Sequence, residues 1–175
     1  IAHADPAADY PTALTCAKAT IMVTGPNGER RVAAGDFFTG YYETAIRPGE
    51  MVSRIEVPPG PKGAGAHYEK FSLIDGDFAV VSVAAMIGIE DDRCTFARIA
   101  VGACAPKPVR VPAAEDRLVG STLDDKAFAD AGALIVDACD PIDDFRGSAS
   151  YRLRLVPRLV KRAALAAKAR ATAHV

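Results

Sequence analysis

Hydrophobic and polar positions follow a strand-like pattern through the first part of the chain and a helix-like one through the last. Ala19 to Thr24 alternates with β-branched residues, Gly25-Pro26-Asn27-Gly28 is a turn sequence, and Glu29 to Val32 returns, which predicts a β-hairpin. Before it, Thr12 to Lys18 can form a short helix following Pro11, and after it Met51 to Val57 reads as a strand stopped by Pro58-Pro59. Asp36-Phe37-Phe38 with Tyr41-Tyr42, punctuated by glycines, reads as a loop packed on a sheet. From Pro58 to Gly65 prolines and glycines bar helix and ladder alike, and a domain junction is expected there.

Beyond the junction Ala66 to Leu73 predicts a strand. A long alternating run then puts Val81, Val83, Ala85, Ile87 and Ile89 on one face. Asp91-Asp92-Arg93 turns the chain, and Cys94 to Cys104 returns with Ile99, Val101 and Ala103 inward. Together these predict a three-stranded antiparallel sheet with one covered face. Pro106, Pro108 and Pro112 end it, and the period becomes helical. Helices are predicted over Ala113–Val119, over Asp124–Cys139, and from a cap at Ser148 or Ser150 to about Ala171. Leu155, Leu159 and Ala163 form a stripe on the last helix, and Pro157 should kink it.

Composition narrows the classes. The 175 residues give room for one ordinary domain, or one domain plus part of another. A net charge of −1 supplies no field for nucleic acid, and no apolar run approaches the roughly 20 residues of a membrane span. No signal-peptide pattern opens the chain, so a cytoplasmic protein is expected. Ile1 is not expected to be where translation began. Cys16, Cys94, Cys104 and Cys139 lack metal-ligand spacing and read as reduced, mostly buried small residues. Charge is split late in the chain: Glu115 to Asp144 holds nine acids and two bases, and Phe145 to Val175 eight bases and no acid. That suggests an acidic helix packed beside a basic one. A sharper reading makes Arg154, Arg158 and Arg162 a docking stripe for a partner subunit.

The stretch with the most chemistry is the first: Ile1-Ala2-His3-Ala4-Asp5-Pro6-Ala7-Ala8-Asp9-Tyr10-Pro11. Small residues let another molecule approach the backbone, and Asp5-Pro6 breaks helix. Two carboxylates and an imidazole beside exposed main-chain N–H groups suit a ligand rich in hydroxyls or phosphates. Asp9 could instead cap the helix near Pro11, and His3 could be a structural hydrogen-bonder. A hydrolase using His3 with Asp5 lacks a nucleophile at a strand-to-helix elbow.

Ile1 to Asp9 resembles the second flavin-binding loop of the FAD-carrying medium subunits of molybdenum hydroxylases, the xanthine dehydrogenase and carbon monoxide dehydrogenase family. Tyr68-Glu69-Lys70-Phe71-Ser72 with Gly76-Asp77-Phe78-Ala79 is similar to a second segment of that family. Pro108-Val109-Arg110, Glu115-x-x-Leu118-x-Gly120 and Ser150-Tyr151-Arg152 fit its tail. The resemblance implies an α+β fold: residues 1–58 as the end of an FAD-binding domain, a linker at 59–64, and 65–175 as a three-stranded antiparallel sheet packed on helices. It implies cofactor contacts from Ile1, Ala2, His3, Ala4, Asp5 and Asp9, an aliphatic contact from Val52, and a cation at Lys70. Lys70 could equally be an exposed strand lysine, and Asp77 would start the sheet of the second domain. Leu73 and Ile74 stand where the family usually has two arginines, so those contacts differ here.

The function so implied is that of an oxidoreductase subunit, working within a complex. It would carry electrons from iron–sulfur clusters of a small subunit through FAD to an acceptor, with the molybdenum cofactor in a large subunit. The family's pyrophosphate loop lies in an N-terminal part that this sequence does not contain. The alternative is a flavin-free docking fragment.

Overall fold

The computed structural model describes residues 1–172. Helix α1 (Asp9–Ala17) leads into strand β1 (Thr20–Gly25), and the turn at Gly28, with φ +97°, returns the chain as β2 (Gly28–Ala33). One helical turn, α2 (Ala34–Phe37), precedes the short pair β3 (Phe38–Gly40) and β4 (Glu43–Thr44), and β5 (Met51–Glu56) follows. β5 adds to the free side of the hairpin, so the first sheet has the order β2-β1-β5, all antiparallel. The pattern predicted each of these three strands but not that they share a sheet. Phe37 and Phe38 meet edge to face at 5.2 Å inside the core beneath this sheet, as expected of the aromatic cluster. Tyr41 and Tyr42 do not join them: they stand exposed at the tip between β3 and β4.

The second sheet is β6 (Ala64–Phe71), β7 (Val81–Glu90) and β8 (Arg93–Gly102), antiparallel in that order. Its register pairs Tyr68 with Ala84 and Lys70 with Ser82. β7 starts at Val81, four residues beyond Asp77, so Asp77 belongs to the preceding loop rather than to the strand. Helices α3 (Pro112–Leu118), α4 (Asp125–Asp137) and α5 (Ala149–Thr172) cover one face, where Val83, Ile87, Ile99 and Val101 pack on Leu118, Phe128, Val156 and Val160. The contact surfaces of α3, α4 and α5 are apolar at helical spacing, and their burial is what holds these helices. Asp124 caps α4 through the Ala127 N–H at 2.9 Å, and Ser148 takes the Tyr151 N–H at 3.2 Å at the start of α5. α5 continues through Pro157, whose ring packs against Gly132 of α4. Lys161 pairs with Asp125 at 2.6 Å, which joins the acidic helix to the basic one as the charge split suggested.

The opposite face of this sheet is also partly covered, which the alternating pattern did not predict. α1 lies there, with Cys16 packed on Ala84 and Ala100. Leu14, two residues earlier and on the opposite side of the same helix, faces the core of the first sheet. The helix reaches the second sheet because its neighbours are small. A Cβ on Gly102 would collide with Thr12 Oγ1 and would stand 2.6 Å from Ser82 Oγ. Thus α1, from the first segment, is wedged between both cores.

Candidate functional site

The opening stretch forms a compact loop ahead of α1. The Ala4 N–H donates to the Ile1 carbonyl at 3.0 Å, with Ala4 in the left-handed region at φ +52°. Asp5 stabilises the next turn: its Oδ1 accepts the Ala7 N–H at 2.9 Å and its carbonyl accepts the Ala8 N–H at 3.1 Å. The second segment then anchors the loop. The Ala79 N–H donates to the Ala7 carbonyl at 3.1 Å and the Ala103 N–H to the Pro6 carbonyl at 2.9 Å. Beneath these anchors lies Arg152, only 3% exposed. Its Nη1 donates to the carbonyls of Val80 and Ala103 at 2.6 and 3.1 Å, and its Nη2 meets Asp144 Oδ1. The sequence placed Arg152 at the start of the last helix but gave it no role in the site.

The expected cofactor residues fall into three groups. Asp9 and Lys70 come together across α1 and β6: Lys70 Nζ donates to Asp9 Oδ2 and to the Asp77 carbonyl, each at 3.0 Å. Tyr68 donates its hydroxyl to Asp9 Oδ1 at 2.9 Å. Burial, with the adjacent Asp9 carboxylate adding to it, pushes the Tyr68 phenol well above the ordinary tyrosine value. Asp9 is the first residue of α1, not its cap. Ala8 occupies the cap position without a side-chain bond, so the carboxylate is left for Tyr68 and Lys70. Register explains the meeting: Tyr68 and Lys70 are two apart on β6 and share the face on which α1 lies.

Ile1, Ala4 and Val52 form the second group, all in or against the apolar core of the first sheet. The contacts that place Val52 are with that core and not with Lys70. His3 is exposed, its ring 5.1 Å from that of Tyr42, and Ala2 is exposed beside it. Phe78, 43% exposed, shares a cleft with Ala8, Asp9, Tyr10, Lys70 and Asp77. The Arg146 guanidinium lies 5.4 Å from the Phe78 ring and 4.3 Å from that of Phe145. An apolar residue between two loops gave no sequence signal beyond its place beside Gly76-Asp77.

The loop fits the polar part of a flavin nucleotide. Among the described residues, the N–H groups of Ala2, His3 and Asp5 have no protein acceptor, and small side chains leave them approachable. Backbone donors around a left-handed residue are the chemistry that binds phosphate and ribose oxygens. Asp9, Tyr68 and Lys70 supply one carboxylate, one phenol and one cation at the other end of the loop, suited to a ring edge carrying both donors and acceptors. Among the described residues no cluster of His, Cys, Asp and Glu could hold a metal ion, and no helix is long and apolar enough to cross a membrane.

Comparison with known proteins gives the family and the fold. Residues 66–167 match the CO dehydrogenase flavoprotein C-terminal domain, and residues 1–60 match the FAD binding domain in molybdopterin dehydrogenase. The carbon monoxide dehydrogenase medium chain of Afipia carboxidovorans is 38% identical over 97% of this chain and 59% of its own length. The nicotine 6-hydroxylase medium subunit of Paenarthrobacter nicotinovorans is 35% identical over the same shares. Among solved structures, the reconstituted CO dehydrogenase from Oligotropha carboxidovorans superposes with a TM-score of 0.93 at 38% identity, over 97% of this chain and 59% of that one. Quinoline 2-oxidoreductase from Pseudomonas putida 86 superposes with a TM-score of 0.88 at 34% identity, over 95% of this chain and 57% of that one. The chain therefore spans a little under three fifths of the length of these relatives. With two family matches in chain order and one fold, it belongs to the CO dehydrogenase flavoprotein family of FAD-binding medium subunits.

Proposed function

We propose that this chain forms one wall of an FAD site in the medium subunit of a molybdenum hydroxylase-type oxidoreductase. Residues 1–58 are read as the end of the FAD-binding domain, 59–64 as the linker and 65–175 as the C-terminal domain. The observation that carries the reading is the opening loop, anchored by Ala79 and Ala103 and holding backbone N–H groups that have no protein acceptor among the described residues. FAD, when bound, accepts electrons and passes them on singly or in pairs. In this reading Ala2, His3 and Asp5 bind its phosphate and ribityl oxygens, and Asp9 accepts from the edge of its ring. Lys70 stands by with a cation that favours the anionic reduced ring. Ile1, Ala4 and Val52 form the apolar floor that keeps the loop in shape. The complete protein would receive electrons from iron–sulfur clusters of a small subunit, with the molybdenum cofactor in a large subunit, and deliver them to an acceptor.

The test is the visible spectrum of the complete protein, with nucleotide released by denaturation and its mass determined. FAD at near-stoichiometric yield is expected. Lys70→Met should weaken FAD binding about tenfold or more, the worth of one charge-assisted hydrogen bond. A folded, complete protein that retains no flavin would overturn the reading. The docking role would then stand alone, favoured by the exposed Arg154 and Arg158 on the outer face of α5. Arg162 on that stripe is already paired with Glu69 at 2.7 Å, so it is less available to a partner.

A further inference from the structure

Two locally unfavourable features meet at one hydrogen bond beneath the opening loop. Ala103, just past the end of β8, lies in the left-handed region at φ +61°, which an alanine adopts only under constraint. Arg152, in the first turn of α5, brings a cation to the positive end of that helix and is buried there, and both circumstances disfavour it. Its Nη1 donates to the Ala103 carbonyl at 3.1 Å and to the Val80 carbonyl at 2.6 Å, and its Nη2 meets Asp144 Oδ1. That carboxylate is itself fixed by the N–H groups of Arg146 and Gly147, at 2.8 and 3.2 Å. The two loop anchors leave from the same two stretches of chain. The Ala103 N–H holds the Pro6 carbonyl, and the N–H of Ala79, one residue before Val80, holds the Ala7 carbonyl.

From this arrangement we infer that Arg152 is a positioning residue for the cofactor, acting through Ala103 and the Ala79–Val80 stretch on the opening loop. The inference rests on the reading of that loop as a wall of the FAD site. Arg152 works at one remove from the ligand. Its bond to the Ala103 carbonyl keeps that residue left-handed, and in this conformation the Ala103 N–H faces Pro6. Its bond to Val80 does the same for the stretch that carries the Ala7 anchor. With the guanidinium gone, Ala103 relaxes to negative φ and its N–H turns away from Pro6. The loop then loses an anchor, and the N–H groups of Ala2, His3 and Asp5 lose their fixed presentation. Charge alone is not enough for this role. The planar guanidinium holds two carbonyls and one carboxylate at once, whereas a lysine ammonium is a single point on a differently shaped stem.

The experiment uses the complete protein with FAD and measures two quantities: the Kd for FAD from flavin fluorescence, and amide exchange at Ala103 and across residues 1–8. Arg152→Met is expected to raise the Kd roughly tenfold and to speed exchange at both places. Arg152→Lys should give a smaller rise in the same direction, which keeps the series readable if Arg152→Met does not fold. Adding Ala103→Gly to either variant should recover most of the affinity, because glycine takes positive φ without strain. Phe128→Leu, which opens a void in the helix-covered core, should lower the melting temperature and leave the Kd unchanged. An unchanged Kd in both Arg152 variants, no recovery with Ala103→Gly, or an equal rise in Phe128→Leu would each overturn the inference. A parent protein that retains no FAD would overturn the reading of the site instead. Arg152's hold on the loop is then judged on exchange alone, and unchanged protection at Ala103 in the Arg152 variants would overturn that too.

Discussion

One ammonium group, that of Lys70, joins three segments: its own strand β6, the first turn of α1 through Asp9, and the loop before β7 through the Asp77 carbonyl. Tyr68 reinforces the first of these contacts and carries a pH signature. Its folded-state phenol titrates above 10, the ordinary tyrosine value, through burial first and the Asp9 carboxylate second. An unfolded chain releases that proton near pH 10, whereas the folded one holds it. Its contribution to stability is therefore complete below pH 10 and is lost as pH rises beyond. Melting temperatures measured between about pH 9 and 11 should fall less steeply for Tyr68→Phe than for the parent protein. Equal slopes would contradict the assignment. The residue types of the opening stretch already made Asp9 a candidate, whereas Lys70 became one only through a family resemblance, because a carboxylate 61 positions from a lysine carries no local signal. Phe78 and Arg152 stayed invisible for the same reason: their roles come from loops and strand ends that only the folded chain brings together.

Among the elements, α1 departs most from its local signals. The pattern predicts a helix from Thr12, and the structure starts it at Asp9, with Pro11 accommodated in the first turn where no N–H partner is needed. Nothing in nine residues with a weak apolar stripe says that both sides will be buried. What makes this possible lies on other strands, in the small residues Ser82, Ala84, Ala100 and Gly102. Gly102→Ala should therefore act as an overpacking substitution costing about 1–3 kcal/mol, read from the denaturant midpoint. Hydrogen exchange should rise through residues 1–17 together, since the opening loop and α1 share a seat. Faster exchange confined to β8 would show that α1 is not held there. The β-hairpin and the strands of the second sheet, by contrast, were legible to within two residues, because turn residues and period-two alternation are local.

For the molecule as a whole, the Pro/Gly stretch marks a break in regular structure without marking a loss of contact. β5 ends at Glu56 and β6 begins at Ala64, yet α1 and the opening loop cross back to the second sheet. Lys62 lies exposed in the stretch between them. Brief trypsin treatment is expected to cut after Lys62 and leave fragments 1–62 and 63–175 eluting together in size exclusion. Separate elution would mean that the wedge contributes little. The break is legible from composition alone; that the two sides stay clasped across it is a property of the fold, set by α1 and the anchored opening loop.

The two anchors of the opening loop have a consequence for biosynthesis. The carbonyls of Pro6 and Ala7 are among the first groups of this stretch to leave the ribosome, whereas their donors, Ala103 and Ala79, follow far behind. At about 5–20 residues per second the donors emerge roughly 4–20 s later. For that interval the ligand loop has backbone acceptors but nothing to hold them. On the proposed reading of this loop as a wall of the FAD site, cofactor capture is a late, post-β8 event in the life of the chain, and a ribosome stalled before Gly102 should display a nascent chain that cannot yet take up flavin.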